Sequence, residues 1–329
     1  MSLSLDSRRL WRASPSAGFN IRDLDFMKYI VTGGAGFIGS HITDALIERG
    51  DEIHVLDNFL TGKRERIHPR AIVHEEDIRN FEILKPIFAG AAGVFHTAAQ
   101  PRMQYSITQP QLTNDINITG TLNVLLAARD SGVKRVVYSA SSSAYGARHP
   151  MPLTEDMPPE PIIPYAIQKR VGEQYCQMAS RFYGLETVCL RYFNVYGPRQ
   201  TTKKDGPYAT VVGIFLEQRK NNESMSVVPD GNQRRDFTHV RDVAAANLLA
   251  MESNQVGKGE IINVGTGTNY SVIQVAEMIG GPWEFCDARQ GEVKETLANI
   301  TRARTLLGWQ PKISFEEGIG ELKRLINLI

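Results

Sequence analysis

Residues 29–40 read Tyr-Ile-Val-Thr-Gly-Gly-Ala-Gly-Phe-Ile-Gly-Ser. The apolar run Tyr29–Val31 has the look of a short buried strand, and Phe37, Ile38, Ile42, Ala45 and Leu46 then recur on one helical face. Between them the spacing fits G-x-G-x-x-G through Gly34, Gly36 and Gly39, and G-x-x-G-x-x-G through Gly33, Gly36 and Gly39. Glycines let the main chain approach a pyrophosphate, and the unpaired N–H groups at the helix start hold its charge. The next apolar run, Ile53–Leu56, ends at Asp57. A carboxylate there bonds both ribose hydroxyls and repels a 2′-phosphate, so NAD is expected rather than NADP.

From Met27 to about Arg191, apolar runs at 29–32, 53–56, 71–73, 93–96, 135–139 and 187–190 alternate with helical patterns such as 37–49, 115–130 and 165–182. That alternation predicts an α/β fold, a doubly wound parallel sheet covered on both faces. Ligands of such sheets sit outside the carboxyl ends of the strands, so the residues just after each strand matter most. After Val73, Asp77 and Ile78 are placed to frame an adenine, one accepting from its amine and the other packing on the ring. After Phe95, Ala98 and Ala99 allow a backbone to pass close to a cofactor. After Tyr138 comes a row of hydroxyls, Ser139, Ser141, Ser142 and Ser143, a costly strand end unless the hydroxyls are used. Downstream, Pro164 fixes a helix start, and Tyr165 and Lys169 lie four apart on one face. A nearby ammonium is expected to lower the tyrosine pKa and poise it for alcohol–ketone interconversion.

With these residues in view, the chain resembles the extended short-chain dehydrogenase/reductases, and among them the nucleotide-sugar 4-epimerases. The resemblance runs from Lys28 to about Lys323 and includes four further stretches: Leu190–Arg199, Asp230–Phe237, Arg289–Val293 and Leu307–Pro311. It implies a Rossmann domain at 27–193 and a smaller C-terminal α/β substrate domain at 194–329, with the chain around 236–265 returning to the first. It implies that Tyr165 removes the proton of a sugar 4-hydroxyl as hydride leaves C4, that Lys169 bonds the nicotinamide ribose, and that Ser141 sits beside the 4-oxygen with Ser142 and Ser143 as neighbours. Gly33, Gly36, Phe37, Ile38, Gly39, Asp57, Asn58, Asp77, Ile78, Ala98, Ala99, Gln100 and Tyr192 are the implied cofactor contacts. The related 4,6-dehydratases carry Thr-Asp-Glu where this chain has Ser141-Ser142-Ser143, and hydroxyls cannot replace their acid and base. Epimerisation is the expected reaction, ahead of dehydration, net reduction or a non-catalytic NAD-binding role.

On the substrate side the resemblance assigns Arg235 and Arg289 to a diphosphate, which suits the planar fork of a guanidinium. Asn194 falls where the diphosphate or sugar is bonded, Thr210, Val211 and Phe215 where the base is held, and Glu292 in the motif after Arg289. Two departures lie near the base: Val228-Pro229 replaces a usual Tyr-Gly, and Gly213 replaces a usual Pro. Thr296 takes the position that gates the C2 substituent. Its small size leaves room for an N-acetyl group, so UDP-GlcNAc and UDP-GalNAc are the expected substrates, with UDP-Glc and UDP-Gal alongside. Glucuronate epimerases usually have Thr at position 194 and Arg at 201, and here these are Asn194 and Thr201, so UDP-glucuronate is the alternative.

Composition narrows the remaining classes. The chain has 329 residues, 42% of them hydrophobic, with a net charge of +1 and no basic stripe, which argues against nucleic acid. Its three cysteines form no CxxC pair, as in a reduced, cytosolic protein. No apolar run approaches the ~18 residues of a membrane span. Seven histidines form no HxH or HExxH pattern, so no metal is expected. Residues 1–26, with Arg8, Arg9, Arg12 and Arg22, show no core pattern and are expected to be a poorly ordered extension. The resemblance implies a homodimer through the helices at 115–130 and 165–182.

Overall fold

The computed structural model describes residues 27–101, 103–202, 209–287 and 293–328. Six strands follow the predicted runs: β1 (Lys28–Thr32), β2 (Glu52–Leu56), β3 (Ile72–His74), β4 (Gly93–His96), β5 (Arg135–Ser141) and β6 (Glu186–Tyr192). A seventh, Lys258–Val264, comes from far along the chain and lies against β6. The sheet order is Lys258–Val264, β6, β5, β4, β1, β2, β3, and every pairing is parallel. Strand order reverses between β1 and β4, which opens a crevice at their carboxyl ends.

One buried cluster, with Val31, Leu46, Val55, Phe95 and Val243, packs the helices Phe37–Arg49 and Val240–Glu252 on one face. A second, with Ile30, Leu84, Val94, Val124 and Cys176, packs Phe81–Phe88, Gly120–Asp130 and Pro164–Tyr183 on the other. The helix expected over 115–130 begins as a five-residue π-helical turn, Asp115–Thr119, before becoming α-helical at Gly120.

A third cluster belongs to the C-terminal part of the chain. Tyr196, Phe215, Phe237 and Phe315 pack with Met225 and Val275 between the helices Val211–Lys220, Val272–Ile279 and Phe315–Leu325. Serine caps with reciprocal side-chain bonds fix the starts of the last two, from Ser271 with Gln274 and from Ser314 with Glu317. Short strand pairs, Arg234–Asp236 with Asn269–Ser271 and Met225–Val227 with Trp283–Phe285, hold this part together.

Candidate active site

The glycine turn is built for close approach. Gly33 has φ +72° and donates its N–H to the Leu56 carbonyl at 2.7 Å. A Cβ on it would meet the Ala98 nitrogen at 2.7 Å, so the β1 turn and the β4 turn touch at the strand-order reversal. Gly36 caps the helix Phe37–Arg49 with no side chain in the way, and the first-turn N–H groups, those of Phe37, Ile38 and Gly39, lack intrahelical carbonyls by construction. A Cβ on Gly39 would lie 2.2 Å from the Gly33 oxygen. These are the features of a cradle for a diphosphate.

Asp57 follows β2 as expected. Its buried carboxylate accepts from the Ala35 N–H at 3.0 Å and the Phe59 N–H at 2.8 Å. Burial raises its pKa, and those two bonds oppose the rise. A carboxylate has about four acceptor sites, so two remain for ribose hydroxyls. Asn58 reaches Asp77 at 2.7 Å, and Arg79 grips the same carboxylate at 2.9 and 2.8 Å, which holds Asp77 down at about 2. Ile78 is buried against Gly120 in the second core cluster. Ala98 and Ala99 are half-buried at the end of β4. Gln100 is buried, its backbone clasped by the Asn117 carboxamide, N–H to Oδ1 at 2.7 Å and carbonyl to Nδ2 at 3.1 Å. Asn117 lies in the π-helical turn and also reaches Gln168 at 2.7 Å, tying the β4 loop to the tyrosine helix. Its sequence setting, Asn-Asp-Ile-Asn-Ile-Thr, gave no hint of that role.

At the end of β5, Ser141 accepts from the Ser143 N–H at 3.2 Å and from the Ser143 hydroxyl at 2.9 Å. Ser142 opens the short turn that follows and is half-buried beside them. The Ser141 hydroxyl lies near enough to the Tyr165 hydroxyl to oppose the rise of its pKa, so the β5 row and the start of the helix Pro164–Tyr183 come together at one point. The expected lowering of the Tyr165 pKa is not found. Burial raises it, with the Ser141 hydroxyl opposing. Lys169 turns instead to the Ser139 carbonyl, at 2.7 Å, and lies over the Tyr138 ring. Burial lowers the Lys169 pKa to about 8. The Tyr192 hydroxyl is buried in a network with Ser139 at 3.0 Å and Asn247 at 2.8 Å.

Beyond β6, Asn194 adopts φ +28° and reaches Thr296 at 3.1 Å. Both depend on Asp236, a residue with no predicted role. Its buried carboxylate accepts from Thr266 N and Oγ1 at 2.7 Å each and from Gly267 N and Ala298 N at 3.0 Å each. Arg235, on the neighbouring strand position, donates to the carbonyls of Arg234 and Lys294. Thr210 caps the helix Val211–Lys220, accepting from Gly213 N at 3.3 Å. Gly213 has a local reason to be glycine: a Cβ there would lie 2.4 Å from the Thr201 oxygen, and a proline would lose the N–H. Val211 is half-buried, and Phe215 is buried in the third core cluster. Arg289 and Glu292 lie outside the described residues.

The histidines are structural in geometry. His96 is fully enclosed between Thr32 at 2.8 Å and Thr121 at 3.0 Å, with its pKa pushed down to about 3 by burial. His54 and His74 bond each other at 2.8 Å. Among the described residues no cluster of His, Cys, Asp or Glu is suited to a metal, and no helix is long and apolar enough to cross a membrane.

Comparison with known proteins gives this arrangement its context. The profile of the NAD dependent epimerase/dehydratase family matches residues 29–265. The chain is 38% identical to the UDP-glucose 4-epimerase of Thermotoga maritima solved with UDP-glucose, covering 92% of this chain and 100% of that one with a TM-score of 0.86. It is 35% identical to a UDP-N-acetylglucosamine 4-epimerase of Methanobrevibacter ruminantium solved with UDP-N-acetylmuramic acid, over 92% and 99% of the two chains, with a TM-score of 0.87. It is also 34% identical to a UDP-glucuronate 4-epimerase of Thermodesulfobacterium geofontis, over 91% of this chain and 95% of that protein.

Proposed function

Because the chain belongs to the NAD dependent epimerase/dehydratase family, we propose that it inverts C4 of a UDP-sugar through a transient 4-keto sugar. It is an isomerase, and NAD is its cofactor. The observation that carries the reading is the meeting of Ser141 and Tyr165 at the carboxyl end of β5, with Lys169 below them and the Asn194–Thr296 pair beyond β6.

The residues present suit the cofactor. Bare backbone at Gly33, Gly36 and Gly39 would receive the pyrophosphate and Asp57 the adenosine ribose; Asp77 already accepts from Asn58 and three times from Arg79, so it would take the adenine amine only in exchange for one of those bonds. Lys169 spends one of its three hydrogens on Ser139 and keeps two for the nicotinamide ribose. When bound, NAD supplies a hydride acceptor that returns the hydride, so no net oxidation occurs. Tyr165 takes the proton of the 4-hydroxyl and later gives it back, and Ser141 holds the same oxygen through both steps. The raised pKa of Tyr165 keeps it protonated until an added positive charge stabilises the phenolate. Arg235 holds the diphosphate. Neutral Ser142 and Ser143 offer no acid–base pair for loss of water.

The sugars we assign are UDP-GlcNAc and UDP-GalNAc, with UDP-Glc and UDP-Gal also turned over, because the residue at 296 is small. The homodimer we assign packs through the helices at 115–130 and 165–182; Ile167, exposed on the second of these, supports that face. The test is to incubate purified protein with UDP-GlcNAc, with UDP-Glc or with UDP-glucuronate, adding no cofactor, and to follow the 4-epimer by NMR. Conversion of the first two is expected. Conversion of UDP-Glc alone removes the N-acetyl assignment, and conversion of UDP-glucuronate alone replaces both.

A further inference from the structure

The short helix Met103–Thr108 is turned the wrong way round for a surface helix. Met103 and Ile107 are exposed, and Ser106 is the one residue of the six that is buried. Apolar groups outward and a hydroxyl inward cost stability unless the hydroxyl is used. It is used twice. Ser106 Oγ donates to the Met103 carbonyl at 2.6 Å and accepts from the Tyr165 N–H at 3.1 Å, across 59 positions of chain.

That N–H is the first that the helix Pro164–Tyr183 has to offer. Pro164 has none, and Ile163 before it supplies no side-chain cap. Ser106 therefore caps the tyrosine helix from another helix. The capping helix begins just beyond Gln100, whose backbone Asn117 clasps at the end of β4. The cap thus refers the start of the tyrosine helix to the turn where the cofactor is expected.

We infer that Ser106 is a positioning residue, whose hydroxyl holds the Tyr165 backbone in register with the β4 turn so that the phenol reaches the sugar 4-hydroxyl beside Ser141. The nitrogen, Cα and Cβ of one residue are rigidly joined, so a bond to the Tyr165 N–H fixes the point from which its ring starts. The inference rests on the proposed epimerase chemistry, in which Tyr165 moves the proton. Thr113 supplies a matched control. It is as buried as Ser106, its Oγ1 donates to the Pro110 carbonyl at 3.1 Å, and it accepts from the same helix at 2.9 Å. The donor there is the Gln168 side chain, which Asn117 also holds at 2.7 Å. Thr113 grips a side chain that has a second anchor, whereas Ser106 grips the backbone of the reacting residue itself.

Wild type, Ser106→Ala, Ser106→Thr and Thr113→Val would be compared in urea unfolding and in kcat, KM and the pH dependence of kcat. The substrates are UDP-Glc, UDP-GlcNAc and UDP-glucuronate, and the variants are assayed on whichever the wild type converts fastest. Ser106→Ala and Thr113→Val each delete one buried hydroxyl and should lose stability alike. Ser106→Ala should also lose about tenfold in kcat with KM within about twofold, as for an interaction needed in the transition state. Thr113→Val should keep its kcat. The rise of kcat with pH should move to higher pH in Ser106→Ala alone, because Tyr165 draws away from Ser141, the group that opposes the upward pull of burial. Ser106→Thr restores an Oγ and should return to within about threefold of wild type. Ser106→Cys fills the space with a poor acceptor, so it should match alanine, and it serves if the alanine variant does not fold. Wild-type protein that converts none of the three sugars overturns the epimerase reading and the inference with it. Given conversion, equal kcat and equal pH profiles in Ser106→Ala and Thr113→Val would overturn the positioning role and leave the epimerase reading intact.

Discussion

Gly39→Ala sets two effects of known sign against each other. Alanine favours a helix over glycine by about 1 kcal/mol. The added Cβ, however, would sit 2.2 Å from the Gly33 oxygen and 2.7 Å from Thr97 Oγ1, where a carbon–oxygen contact needs about 3.3 Å. The threonine hydroxyl can rotate, but the Gly33 oxygen cannot easily retreat: it already accepts from the Gly36 N–H at 3.0 Å, and its own residue is bound to Leu56. The helix start must therefore draw back by about 1 Å, and overpacking of this kind costs about 1–3 kcal/mol. The net loss of stability is about 0–2 kcal/mol. Loss of cofactor is larger, because the first-turn N–H groups retreat with the helix, and a 1 Å misplacement can cost about a hundredfold. Gly320→Ala is the matched control. It lies in the helix Phe315–Leu325, where a Cβ would have only Arg324 at 3.6 Å, so the propensity gain should appear undiminished. Thermal unfolding and the NAD content of gel-filtered protein would be measured for both. A Gly39→Ala protein that is stabilised like Gly320→Ala and retains its NAD would refute the reasoning.

Lys169 is held at about 8, below its ordinary value, so between about pH 8 and 10 the unfolded chain binds more protons than the folded one. Its contribution to stability therefore rises with pH across that window; the difference in unfolding free energy between wild type and Lys169→Met should grow in favour of wild type from pH 8 to 10. Activity should move the other way, falling above about pH 8 as the ammonium is lost. Glu173 is fully buried and binds Arg191 at 2.7 and 2.8 Å, with Arg170 on the same carboxylate. Glu173→Gln strands a buried guanidinium, and urea unfolding should show a loss of about 3–5 kcal/mol.

The sheet was readable because each strand run is short, apolar and followed by a helix with one apolar face. The glycine turn was readable because its residues act through backbone geometry, which the spacing records. Asp236 was not, since four bonds converge on it from Thr266, Gly267 and Ala298, at sequence distances no local pattern can encode. The burial of Phe215 was not legible either: the third core cluster that takes it in joins the helix Val211–Lys220 to helices far along the chain. Lys169 follows Tyr165 by one turn as read, yet a four-carbon stem lets its charge go elsewhere, and the Ser139 carbonyl takes it.

The late arrival of Lys258–Val264 in the sheet bears on how the polypeptide can be cut or synthesised. A fragment ending at Phe193 would leave the whole length of β6 as an open, apolar parallel edge, a template for aggregation. It would also strip Arg135 of the carbonyls of Ala250, Met251, Ser253 and Val256, leaving Glu186 as its partner for a buried cation. The cofactor-binding half is thus unfinished until residue 264 has left the ribosome. Nascent chains of intermediate length have to be shielded along that edge, and truncation at the apparent boundary yields an incomplete sheet instead of a small folded NAD-binding module.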